Sequence, residues 1–65
     1  MDKQYYIIMV EQNDTSRLER LLNTHRVSLN DWDRTEAFPY CGRQCVNYHI
    51  MCESDTYESI MKLIG

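Results

Sequence analysis

The sequence predicts an α+β domain laid out β-α-β-β-α, a truncated ferredoxin-like sandwich with a three-stranded sheet and two helices on one face. Three observations predict it. An apolar run without Gly or Pro, Tyr5-Tyr6-Ile7-Ile8-Met9-Val10, opens the chain. Two later segments repeat apolar residues at i, i+3, i+4 and i+7, the spacing of one helix face. Between those segments the apolar residues alternate with polar ones, as in half-buried strands.

The first strand spans Gln4 to Glu11, rich in Tyr, Ile and Val. Tyr5, Ile7 and Met9 alternate with Tyr6, Ile8 and Val10, so both faces are apolar. A strand of that kind is normally covered on both sides. Ser16-Arg17-Leu18-Glu19 matches an S-x-x-E capping box and opens the first helix. Leu18, Leu21, Leu22 and His25 form its apolar face, and it ends near His25. Val27 to Trp32 alternates as a second strand, and Thr35 to Gly42, with the single Pro, reads as a loop. Gln44 to Cys52 is the third strand. Val46, Tyr48, Ile50 and Cys52 form one face, and Cys45, Asn47, His49 and Met51 the other. Ser54 and Asp55 open the second helix, with Asp55 as its cap; Tyr57, Ile60, Met61 and Ile64 form its face, and Gly65 stands where it stops.

Residues 1–65 make one domain. A chain of this length buries only about 60% of its unfolded surface, so metals, disulfides or partners often assist such domains. The net charge of −3 and the scattered Lys and Arg argue against a nucleic-acid partner. Tyr5, Tyr6 and Tyr48 lack the interleaved bases of an RNA-stacking sheet. No run approaches the roughly 20 apolar residues of a membrane span, and no signal peptide is expected. Three cysteines cannot all pair within one chain; free thiols and a cytoplasmic setting are expected.

Cys41, Cys45, His49 and Cys52 are candidate zinc ligands in the pattern C-x3-C-x3-H-x2-C. On a strand, Cys45 and His49 stand about 13 Å apart at ~3.3 Å per residue, too far for one ion. The expectation is no metal and no cofactor. Cys and His occur in no nucleophile signature, and so small a chain has little room for a pocket of about 300 Å3, so no enzyme is expected. Asp31, Asp33 and Glu36 around Trp32 read as a solvated strand end, with an acidic contact patch as the alternative.

Without a fourth strand, the first strand of a ferredoxin-like unit becomes an edge. Its interior carries no Pro, Lys or inward charge, the usual protections of an edge. The sheet face opposite the helices is also open. The expected interaction surface is drawn from Tyr5, Ile7, Met9, Trp32, His49 and Met51. The functional expectation is a homodimeric protein-interaction module, a regulator or inhibitor of another protein, of a size that fits small accessory proteins such as those of phages. The alternatives are a dimer of ferredoxin-like units sensing a small metabolite, and a zinc-stabilised domain.

Overall fold

The computed structural model describes residues 2–64. The elements follow the order β1 (Gln4–Glu11), α1 (Thr15–Thr24), β2 (Trp32–Arg34), β3 (Phe38–Tyr40), β4 (Arg43–Cys52) and α2 (Ser54–Ile64), with short 3-10 turns at Gln12–Asp14 and Leu29–Asp31. The sheet is antiparallel throughout, in the order β1-β4-β2, with β3 also paired to β4. Cys45 faces both Glu11 of β1 and Phe38 of β3, so β3 continues the side of β4 that carries β2. The sheet therefore has four strands where the sequence predicts three.

Two departures explain the difference. The predicted second strand, Val27–Trp32, is taken up by the turn at Leu29–Asp31, which the Ser28 hydroxyl caps by accepting from the Asn30 N–H. Pairing begins only at Trp32. The predicted loop, Thr35–Gly42, holds β3. Cys41 and Gly42 both have positive φ, 53° and 79°, the condition for a two-residue mirror-image turn between Tyr40 and Arg43. Pro39 is tolerated because β3 is a short edge strand.

The helices begin and end by local hydrogen bonding. α1 starts one residue before the predicted cap: Asp14 stands at the N-cap, and the Thr15 hydroxyl donates to the Gln12 carbonyl. At its C-terminus the Arg26 N–H donates to the Asn23 carbonyl and the Val27 N–H to the Leu22 carbonyl. This is a Schellman closure, with Arg26 at φ 59° in the place glycine usually takes. α2 starts at Ser54, one residue before the predicted Asp55 cap. Gly65, its predicted stop, lies outside the described residues.

Both helices cover one face. Ile8 and Val10 of β1 and Val46, Tyr48, Ile50 and Cys52 of β4 pack with Leu18, Leu22 and Ile60. Tyr6 extends this layer by stacking on Tyr57 of α2, with ring centroids 3.9 Å apart. Tyr48 is fully buried, and its hydroxyl donates to Glu19 Oε2 at 2.5 Å. Arg34 donates to the same carboxylate at 2.8 Å and to the Tyr48 oxygen at 3.3 Å. The three residues tie α1, β2 and β4 together.

The core predicts alkaline sensitivity. Burial, then the Glu53 charge, pushes the Cys52 thiol above its ordinary value of 9.0. Burial, then Glu19, pushes the Tyr48 phenol above 10.0, against an opposing pull from Arg34. Burial also raises Tyr6. Each group holds its proton to higher pH when folded than when unfolded, so stability falls as pH rises. The contribution is complete below pH 9.0 and is lost above it, beginning with Cys52, whose ordinary value is the lowest of the three. Urea denaturation at neutral pH and at pH 9 to 11 should show a falling midpoint. Cys52→Ala should delay the start of that fall relative to the parent chain.

Candidate interaction face

Successive residues of a strand point to opposite faces, and directly opposed residues of an antiparallel pair share a face. The register Tyr5↔Met51, Ile7↔His49, Met9↔Asn47 and Glu11↔Cys45 therefore places these eight residues on the face away from the helices. Tyr5, Ile7, Met9 and Met51 are exposed there, at 56%, 53%, 45% and 39%. His49 is half-buried beside them. The Tyr5 hydroxyl is hydrogen-bonded to His49 Nδ1, and the two rings lie 5.8 Å apart.

Five of the six predicted residues thus come together: Tyr5, Ile7, Met9, His49 and Met51. Trp32 does not join them. It lies opposite Ile50, on the helix side, and its ring leans on Tyr48 at 5.7 Å. The physical reason is parity: β2 starts at Trp32, and that one-residue setting decides the face of every side chain in the strand.

The face has a gradient across the strands. One row runs Ile7, His49, Asp33 from β1 through β4 to β2. The apolar residues are concentrated on β1, and polarity grows toward β2. Asp33 turns its carboxylate back to accept from the Arg34 N–H at 2.8 Å. Charges frame the stripe at both ends of β1. Lys3 meets Asp31 at 2.7 Å, and that contact holds its ammonium above the usual lysine range. Glu11 pairs with Arg43 at the other end.

The two sheet edges differ. The β2–β3 edge consists of two three-residue strands interrupted by Thr35–Ala37 and containing Pro39. Such an edge resists further pairing. The β1 edge is eight residues long, with neither Pro nor Lys.

The cysteines do not converge. Cys41 is exposed in the β3–β4 turn, Cys45 is buried on the open face beside Phe38, and Cys52 is buried under the helices. Cys45 and Cys52 thus occupy opposite faces of β4, while His49 shares the face of Cys45. Among the described residues no three His, Cys, Asp or Glu side chains are grouped to hold a metal. A shallow depression of about 190 Å3 lies among Lys3, His25, Asp31, Glu53 and Thr56. His25 Nε2 is buried without a hydrogen-bond partner. Nothing in the sequence pattern marked that site, because His25 read simply as the end of a helix face. Among the described residues no helix is long and apolar enough to cross a membrane.

Compared with protein-family models, with curated proteins and with solved structures, the chain matches none of them.

Proposed function

We propose that the chain is a non-enzymatic protein-interaction module that self-associates and presents its open sheet face to a second protein, as a small regulator or inhibitor. One observation carries this reading: the exposed stripe Tyr5-Ile7-Met9, with Met51 beside it, on a face that no helix among the described residues covers. Aromatic and Met side chains concentrate at interface centres, and charges at their rims, which is the pattern formed here with Lys3 and Glu11. The strand order supports a ferredoxin-like unit lacking its last strand, with β2 starting at Trp32, where the predicted second strand ends, and β3 formed within the predicted loop. The free thiols fit a reducing, cytoplasmic setting. An accessory role of the kind phages encode is compatible with the size.

A second reading, a small-metabolite sensor, is favoured by the unpartnered His25 Nε2 at the shallow depression. One experiment separates the two. The chain is immobilised in parallel with its Met51→Lys variant and exposed to extract of its own host. Met51 is exposed on β4, so the substitution leaves the core and the β1 edge untouched; because Met51 also lines the depression, the metabolite arm is read on the parent chain alone. The interaction reading expects a protein retained by the parent and reduced about tenfold or more by Met51→Lys, a loss of at least ~1.4 kcal/mol. Equal retention by both rejects the open face as the binding surface, and no retained protein together with a metabolite that raises the melting temperature of the parent rejects the interaction reading in favour of the sensor.

A further inference from the structure

We propose that the partner of the β1 edge is a second copy of this chain, joined antiparallel about a two-fold axis that passes between Ile7 and the Ile7 of the second copy. The inference rests on the reading of the chain as a self-associating module and adds its geometry.

Symmetry restricts the possibilities. A two-fold axis relating adjacent antiparallel strands runs perpendicular to the sheet, so both copies keep their helices on the same side. Opposed residues must share a face, and some residue must therefore oppose its own copy. Two centres give the fullest overlap of Gln4–Glu11, one at Ile7 and one at Ile8. They differ in what meets at the ends. Centring on Ile8 sets Tyr5 against Glu11 and Gln4 against Gln12, leaving a carboxylate beside an aromatic ring. Centring on Ile7 sets Tyr5 against Met9 and Lys3 against Glu11, opposite charges that close both ends of an apolar stripe while each keeps its partner within its own copy, Asp31 for Lys3 and Arg43 for Glu11. Charge complementarity selects the Ile7 centre.

The helix layer agrees. In this register Tyr6 opposes Ile8 of the second copy, both on the helix side. Tyr6 already stacks on Tyr57 of α2. Met61, one turn beyond Tyr57, is exposed at 36%. The pairing turns two sheets into one, ordered β2-β4-β1-β1-β4-β2. The two open faces then merge into one surface, with the apolar stripes adjacent at its centre.

Cysteine cross-linking tests the register, in a Cys41→Ser background that removes the exposed native thiol. Directly opposed residues lie about 4.5–5.5 Å apart between Cα atoms, within disulfide reach. Ile7 is exposed, so Ile7→Cys keeps the fold, checked by circular dichroism. Under mild oxidation at micromolar concentration, Ile7→Cys alone should become mostly a disulfide-linked dimer. A mixture of Tyr5→Cys and Met9→Cys chains should give the mixed dimer. Ile7→Lys, which places like charges across the axis, should weaken the dimer about tenfold or more by sedimentation equilibrium. If the parent chain sediments as a monomer at these concentrations, both the self-association and its register are rejected, including the case in which a strand of another protein fills the edge. If it is a dimer but Ile7→Cys stays unlinked, or an Ile7→Cys and Met9→Cys mixture links instead, the register alone is rejected.

Discussion

Ile50→Ala should abolish cooperative folding, or shift the urea midpoint by several molar at a fixed protein concentration. Ile50 lies toward the C-terminal end of the central strand, flanked by Tyr6 of β1 and Trp32 of β2, and is fully buried under the helices. Truncating a buried Ile to Ala costs about 2–5 kcal/mol, from lost transfer energy plus the cavity left behind. The core of a domain this small rarely supplies more than about 3–5 kcal/mol in total. The two magnitudes are comparable, so one substitution removes most of the stability. With a urea dependence of about 1 kcal/mol per molar, the midpoint falls by about 2–5 M. Leu29→Ala is the control. Leu29 is 81% exposed, and its truncation should stay within about 0.5 kcal/mol. Circular dichroism in urea checks both. A cooperative transition for Ile50→Ala near that of the parent would mean that the sheet is not held from its centre.

That centre was legible because its residues obey a period. β1 was read to its exact bounds, Gln4–Glu11, since no Gly, Pro or charge interrupts it. The faces of β4 followed from alternation. The helix faces followed from i, i+3, i+4, i+7: Leu18, Leu22 and Ile60 are buried as that spacing requires, whereas Met61, expected on the face of the second helix, is exposed. What escaped was local. β3 is only Phe-Pro-Tyr, too short for a period, and its Pro marks a loop in any propensity argument. Its turn uses Cys41 at positive φ, where Asn or Asp would have announced a hairpin. The start of β2 depends on a hydroxyl cap at Ser28, and that cap moved Trp32 to the helix side. The open face could still be anticipated from β1 and β4 alone, because five of its predicted residues belong to those two strands. The polar gradient toward Asp33 could not be anticipated, because it needs the register of β2.

Tyr48 shows how the helix side is fastened while the open side stays bare, and it carries the second large prediction. Glu19→Ala should destabilise the chain by about 1–3 kcal/mol, the cost of leaving a buried hydroxyl without its acceptor. The Tyr48 oxygen would then be contacted by Arg34, which can only donate to it. The Glu19–Arg34 attraction adds little, since both side chains are substantially exposed, at 35% and 50%. Tyr48→Phe should cost less, about 0.5–1.5 kcal/mol, because it deletes the hydroxyl and leaves Glu19 paired with Arg34. The double variant should cost less than the sum of the two, since the second change removes the group that the first had stranded. Urea denaturation of the four chains measures the coupling. Additive effects would show that the hydroxyl is satisfied elsewhere. A positive coupling places the tether between α1 and β4 and explains the asymmetry of the two edges. The β2 side is fixed to the helix layer through Arg34 and Trp32, and β1 keeps a free edge along its whole length.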